Sequence, residues 1–383
     1  MTASLEELGR AVATLTSSGR YPEAEALVRP YVASGRALLP VWQLLVSAIR
    51  PQGKIEETRR IQEMLVDTSP GDLSARFNLA ETLLLSGDFE RGWREYRYRY
   101  RLAHTTRIER KVQMPRWDGE PIAGKTLLIH DEQGYGDTFQ FLRMVPWARE
   151  RSGARTILEI IPEQLSIAQR AGGFDEIIAK GTLPPKFDVH CEMMSLPMAM
   201  GLKLGDLPGR IPYLTADAHR LEHWRARLEG LPRPWVALCW AGRPTHFNDR
   251  ARSMALTDLV PLAGPDMTFL SLQKGAKAQE AGQPPTGMRL AALGDELQDF
   301  EDTAAVLMLA DLLISVDSSP VHLAGALGRP VWVMLPFVPD WRWLLDRTDS
   351  PWYPTLRLFR QPAIGDWASV TRAIAQELRA LAH

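Results

Sequence analysis

The stretch from residue 309 to 335 restricts the fold of this chain more than any other. Leu312, Leu313, Ile314, Ser315 and Val316 make an apolar run of buried-strand length, and Asp317-Ser318-Ser319-Pro320 interrupts it. Residues 321–327 then supply a short helix, and Pro330-Val331-Trp332-Val333-Met334 reads as the next strand. Strand, turn, helix and strand in that order belong to a parallel sheet, and they put the turn at the carboxyl end of a strand. Open α/β sheets bind ligands at such ends, where the free N–H groups and positive dipole of a helix start suit a diphosphate. Asp317, Ser318, Ser319 and His322 are therefore candidate ligand contacts. Asp and Ser are also the preferred helix caps, and His322 could pack under the following strand, so an ordinary helix start explains the same residues.

The same alternation recurs along most of the chain. Strands are expected at 126–130, 156–161, 176–179 and 188–191 and, after the break Leu231-Pro232-Arg233-Pro234, at 235–240, 268–272, 312–316, 331–335 and 356–360. Helical segments between them predict parallel sheets covered by helices, in two Rossmann-like domains. With 383 residues, 45% of them hydrophobic, the chain has ample material for two or three domains. A formal net charge of −1 excludes a global basic field for nucleic acid. Cys191 and Cys239 supply neither a disulfide framework nor a zinc pattern. With no signal segment and no stretch of membrane-spanning length, the expected location is cytoplasmic.

The first hundred residues carry a repeat. Gly19-Arg20-Tyr21-Pro22-Glu23-Ala24, Gly53-Lys54-Ile55-Glu56-Glu57-Thr58 and Gly87-Asp88-Phe89-Glu90-Arg91-Gly92 share one pattern, with glycines 34 residues apart. That is the period of tetratricopeptide repeats, whose helix pairs stack to bury their apolar faces. The expected fold is thus an α-helical repeat array over 1–111, an acceptor-side α/β domain over 112–230 and a donor-side α/β domain over 231–383. Residues 91–111 mix basic side chains with tyrosines. Trp93, Tyr96 and Tyr100 follow helical spacing, which favours the packing face of the last helix, with arginines on the solvated side, over nucleic-acid binding.

A second strand-end loop runs from His130 through Asp131, Glu132, Gln133, Gly134, Tyr135 and Gly136 to Asp137, and opens a helix expected over 138–149. Gly134 and Gly136 are expected to let the backbone turn tightly and leave room for a ligand, with Gln140 on the same acceptor side. Asp137 is either a helix cap or a carboxylate placed to take a proton from an acceptor hydroxyl. Metal chemistry finds little support. No Asp-x-Asp occurs at a strand end, and His219-Arg220-Leu221-Glu222-His223, which matches an inverted zinc-protease string, sits among arginines and reads as a solvated helix face. No G-x-S-x-G elbow is present.

Gly136-Asp137, the run Asp317-Ser318-Ser319-Pro320-Val321-His322-Leu323-Ala324 and the run Ala326-Leu327-Gly328-Arg329-Pro330 resemble the heptosyltransferase-type (family 9) glycosyltransferases of the GT-B class. With the repeats, Trp240-Ala241-Gly242, Arg252-Ser253 and Pro339-Asp340-Trp341-Arg342-Trp343, the chain is similar to bacterial tetratricopeptide-repeat glycosyltransferases, including those proposed to act on flagellin. The resemblance implies two Rossmann-like domains facing across a cleft and transfer of a sugar from a nucleotide diphosphate donor to a protein or surface-polysaccharide hydroxyl. The sugar nucleotide is then a co-substrate, with no cofactor or metal. Asp137 is the implied general base. The implied donor contacts are Trp240, Gly242, Arg252, Ser253, Asp317, Ser318, Ser319 and His322; Ser271-Leu272-Gln273-Lys274 also resembles the strand-end Gln and Lys that bind phosphate in protein O-GlcNAc transferases, which adds Gln273 and Lys274, with Lys274 placing its charge in the cleft. Ser318-Ser319 departs from the Thr-Gly of the heptosyltransferase loop. The rival expectations are a nucleotide-sugar epimerase of the same architecture and a non-catalytic scaffold in which the repeats do the work.

Overall fold

The computed structural model describes residues 4–35, 37–101, 112–246, 248–264 and 266–381, and these fall into two units. One is helical: α1 (Leu5–Ser17), α2 (Tyr21–Ala33), α3 (Leu39–Ile49), α4 (Ile55–Thr68), α5 (Leu73–Leu85) and α6 (Phe89–Tyr96). Gly19, Gly53 and Gly87 close the α1/α2, α3/α4 and α5/α6 turns at φ of 77°, 75° and 84°, a left-handed backbone that glycine alone adopts at no steric cost. Caps fix the starts. Ser4 and Glu7 form a reciprocal capping box, and Asp72 and Asp88 each accept a backbone N–H three residues on. Leu8/Val12, Ala24/Val28, Val41/Leu45 and Ile61/Leu65, each pair one helical turn apart, build the core.

The segment Phe337–Asp346 belongs to this helical unit, far from it in sequence. Trp341 packs edge-on against Trp93 and Tyr96, at centroid distances of 5.1 and 6.0 Å. Trp93 and Tyr96 are buried in α6 as their spacing predicts. One expectation for this stretch is corrected. Arg99 is buried, its guanidinium stacked 4.5 Å above the Tyr100 ring, where helical spacing alone would put arginines in solvent. The remainder of the basic stretch, 102–111, lies outside the described residues.

The other unit holds two parallel sheets. The first contains β1 (Thr126–His130), β2 (Arg155–Ile160), β3 (Glu176–Ala179) and β4 (Val189–Glu192) in the order β3-β2-β1-β4. The second contains β5 (Trp235–Cys239), β6 (Thr268–Ser271), β7 (Leu290–Ala292), β8 (Leu312–Val316), β9 (Val331–Leu335) and β10 (Leu356–Arg360) in the order β10-β9-β8-β5-β6-β7. In the second sheet β5, β8 and β9 are buried along their whole length and are made almost entirely of apolar residues, as strands covered on both faces require. The strand β7 escapes sequence reading because it has only three residues, none of them buried. The connections form α7 (Tyr135–Phe141), α8 (Val145–Ser152), α9 (Leu165–Ala171), α10 (Leu196–Met200), α11 (Ala218–Leu228), α12 (Asp249–Arg252), α13 (Phe300–Leu309), α14 (Ser319–Ala326) and α15 (Trp367–Leu381).

The helix expected over 138–149 is therefore two. It begins earlier, at Tyr135, and tightens into a 3-10 turn at Leu142–Met144, because Pro146 cannot donate a helical hydrogen bond and crowds the carbonyl of residue 142. Strand order reverses between β5 and β8 in the second sheet and between β1 and β4 in the first. These are the switch points where loops diverge and leave a crevice. The two sheet layers meet through α7 and α14, through the Tyr213 hydroxyl donating to the Phe139 carbonyl at 2.7 Å, and through Arg143 donating to the Trp352 carbonyl at 2.7 Å. Among the described residues, no helix is long and apolar enough to cross a membrane.

Candidate functional site

The switch point of the six-stranded sheet gathers the residues after β5, in α12 and after β8. Arg252, the last residue of α12, donates from Nη1 to the Asp317 carbonyl at 3.0 Å and lies 3.6 Å from the Asp249 carboxylate. Its guanidinium covers Gly242 so closely that a Cβ there would lie 2.5 Å from Nη2. Any side chain at 242 would have to displace the Arg252 guanidinium. Ser253 holds the same loop: its hydroxyl accepts from the Gly242 N–H at 2.9 Å and donates to Asp249 at 2.8 Å. Gly242, Arg252, Ser253 and Asp317 thus converge around a mostly buried guanidinium beside the start of α14.

That helix start carries no side-chain cap. Ser318 stands at the N-cap position, yet its hydroxyl pairs with Ser315 at 3.0 Å, and Ser319 and Pro320 occupy the first turn. An uncapped N-terminus next to an arginine is a local field suited to a diphosphate. Ser318 also approaches the Cys239 sulfur at 3.8 Å, and burial pushes the Cys239 thiol above its ordinary range, so this cysteine is a packed, unreactive group.

Several expected donor contacts have other work. Trp240 has no exposed surface, and its indole N–H is bonded to Glu280 at 3.0 Å, so the ring is core and cannot stack on a ligand. Gln273 is a buried staple. Its Oε1 accepts from the Trp240 and Ala241 N–H groups at 3.1 and 2.9 Å, and its Nε2 donates to the Ala241 and Lys274 carbonyls. Lys274 is exposed, and its ammonium donates to the carbonyls of Gly294 and Leu297 at 3.0 and 2.5 Å, backbone acceptors that the turn after β7 presents.

After β1, Asp137 lies in the first turn of α7 and its Oδ2 accepts the Gly134 N–H at 2.8 Å. The carboxylate is partly exposed. Gly134 and Gly136 do not have the special backbone that the sequence suggested, since neither has a positive φ. Gly136 is needed for space: a Cβ would lie 2.8 Å from Cδ2 of His322, whose Nδ1 is 3.2 Å from the Tyr353 hydroxyl. His322, expected beside the donor diphosphate, is instead a buried wedge that sets α14 against the loop bearing Asp137. Gln140 is fully buried on the inner face of α7 and cannot meet an acceptor directly. Beside it, burial pushes the Tyr213 hydroxyl up to about 12, so it stays a hydrogen-bond donor.

The His219/Glu222/His223 string is an exposed face of α11, with Glu222 paired to Arg225. A different group, which no sequence motif marks, brings potential metal-ligand atoms within 4.8 Å of one another: His130, His190 and Glu192, all buried.

Comparison with known proteins adds the following. Residues 254–333 match the profile of glycosyltransferase family 9 (heptosyltransferase), a stretch that includes Gln273, Lys274, Asp317, Ser318, Ser319 and His322. Over 342 residues the chain is 29% identical to protein FlbA of Caulobacter vibrioides, covering 81% of this chain and 56% of that protein. The chain therefore spans about half the length of the curated relative it matches. Among solved structures, E. coli ADP-heptose LPS heptosyltransferase II aligns at 15% identity over 67% of this chain and 98% of its own, with a TM-score of 0.48. A family 9 glycosyltransferase from Veillonella parvula aligns at 10% identity over 69% and 98%, with a TM-score of 0.47. The relationship legible in the sequence motifs is thus a similarity to glycosyltransferase family 9 (heptosyltransferase), whose profile this chain matches across the turn before α14.

Proposed function

We propose that this chain transfers a sugar from a nucleoside diphosphate donor to an acceptor hydroxyl. The observation that carries the reading is the Arg252 guanidinium, seated on Gly242 and on the Asp317 carbonyl at the uncapped start of α14. Positive charge and free N–H groups there would stabilise the diphosphate as it departs. Asp137 is the proposed base. The acceptor oxygen attacks the anomeric carbon as its proton passes to Asp137, the bond to the diphosphate oxygen breaks, and in-line attack inverts the anomeric centre. Lys274, exposed and with its ammonium donating to the Gly294 and Leu297 carbonyls, is a second proposed contact for the diphosphate.

The acceptor is proposed to be a protein hydroxyl presented by the helical unit, whose paired helices and turn glycines support a stacked repeat of the tetratricopeptide kind. Three measurements on the full chain test the reading: binding of a nucleoside diphosphate, binding of the nucleoside alone, and sugar transfer. Asp137→Asn should bind donor as the wild type does and lose transfer by about a hundredfold or more. Arg252→Ala should weaken the diphosphate by about tenfold or more and leave the nucleoside unaffected. Wild-type turnover in Asp137→Asn removes Asp137 from the chemistry. Release of free epimerised sugar identifies an epimerase, and absence of any nucleotide binding a scaffold.

A further inference from the structure

The structure assigns a divalent transition-metal site, of zinc type, to His130, His190 and Glu192 at the switch point of the four-stranded sheet. The β1/β4 register pairs His130 with Glu192 and Leu128 with His190, so both histidines and the glutamate project from one face of the sheet. All three are buried, with 0%, 5% and 2% of their surface exposed. The β1/β2 register adds Glu159, also buried, beside His130 on that face.

The nitrogen spacing fits a ligand pair as well as it fits a hydrogen bond between the rings. Nε2 of His130 lies 3.2 Å from Nδ1 of His190. Two imidazoles bound at 2.0–2.1 Å to a tetrahedral cation would hold their nitrogens about 3.3 Å apart. The other nitrogen of His130, Nδ1, is 3.3 Å from the Asp131 carbonyl. An N–H given to that carbonyl leaves the Nε2 lone pair directed at His190, which is the orientation that a backbone acceptor imposes on metal-bound histidines.

Glu192 completes a two-histidine, one-carboxylate donor set, a combination typical of zinc. Its carboxylate is held by the guanidinium of Arg116 on Oε1 and the Ser195 hydroxyl on Oε2 at 3.1 Å. A dication also suits the charge of the surroundings. Asp131, Glu132 and Glu159 are buried at the same strand ends, and the cation would add to the compensation that Arg116 gives Glu192 and Lys180 gives Asp131 at 3.0 Å. Bound there, it would tie β1 to β4 at the root of the 131–137 loop that carries Asp137. The site lies in the first sheet and is distinct from the proposed donor site after β5 and β8, so its test does not depend on sugar transfer.

The experiment uses the full chain stripped of metal with a chelator, then titrated with Zn2+ against a competing chromophoric indicator and, separately, with Co2+. The expected result is one Zn2+ per chain, a raised Tm, and the visible d–d absorption of Co2+ bound to nitrogen and oxygen ligands. His130→Gln and His190→Gln should each weaken Zn2+ by at least about tenfold, while the surface double variant His219→Ala/His223→Ala binds as the wild type does. Wild-type protein that takes up no Zn2+ overturns the assignment and leaves His130 and His190 as a neutral hydrogen-bonded pair. So does uptake that persists in folded His130→Gln and His190→Gln, or that vanishes in the surface variant. Should the buried variants fail to fold, the wild-type stoichiometry, Co2+ spectrum and surface variant decide the question by themselves.

Discussion

Replacing Gly136 by Ala tests how tightly the start of α7 is pressed against α14. In a helix interior this exchange ordinarily stabilises by about 0.5–1 kcal/mol, because alanine loses less backbone entropy than glycine. Here the new methyl would stand 2.8 Å from Cδ2 and 3.5 Å from Nε2 of His322, well inside the ordinary carbon contact of about 3.5–4.0 Å. The imidazole has little room to retreat. Its Nδ1 is within 3.2 Å of the Tyr353 hydroxyl, and the Tyr353 ring is itself fully buried against Gly325, where a Cβ would meet it at 2.6 Å. The strain must be relieved by moving α7 from α14, at an overpacking cost of about 1–3 kcal/mol. The net expectation is a loss of about 0.5–2 kcal/mol from the α/β unit, or several degrees of Tm at about 2–4 °C per kcal/mol. Gly9 supplies the control: it lies inside α1, and an added methyl would meet nothing within 4 Å, so Gly9→Ala should stabilise the helical unit. Calorimetry of both variants decides the matter. A Gly136→Ala protein stabilised as much as Gly9→Ala would mean that the His322 ring does not occupy the space the structure gives it.

Two further outcomes follow from buried groups. Gln273→Met should cost about 2–4 kcal/mol and abolish nucleotide binding, because the Trp240 and Ala241 N–H groups lose their shared acceptor and the loop leading to Gly242 relaxes; an unchanged Tm and dissociation constant would refute the staple. Trp341→Ala should destabilise the helical unit by about 3–5 kcal/mol through loss of its packing on Trp93 and Tyr96, read as earlier hydrogen exchange in α5 and α6. The same packing predicts that a chain shortened to start near Val112 would leave Trp341 uncovered, so acceptor recruitment is better tested in the full chain.

The elements were largely legible in the sequence where local chemistry decides them. Runs such as Leu312 to Val316 can bury both faces only as central strands, and Gly19, Gly53 and Gly87 mark the helix turns because the left-handed backbone there tolerates nothing else well. The turn after Val316 and the Arg252-Ser253 pair could be chosen as candidates from residue type and strand-end position. Their partners could not. Arg252 reaches the Asp317 carbonyl across 65 residues, and which of Trp240, Gln273 and Lys274 faces a ligand depends on acceptors offered by distant turns.

Sequence by itself thus determined the alternation of strands and helices, the helical array with its glycine period, and the two strand-end loops, all of which rest on contacts within a few residues or on the intrinsic geometry of glycine and proline. Tertiary structure decided what each polar side chain is for. It moved Trp341 and its neighbours into the helical unit, turned Gly136 from a tight-turn glycine leaving room for a ligand into a gap for His322, and set His130 beside His190 and Glu192. The physical reason is that burial and hydrogen-bond satisfaction are settled between surfaces that meet only when the sheets pair. A histidine 60 residues from another carries no local sign that one strand register will bring their rings within 3.2 Å.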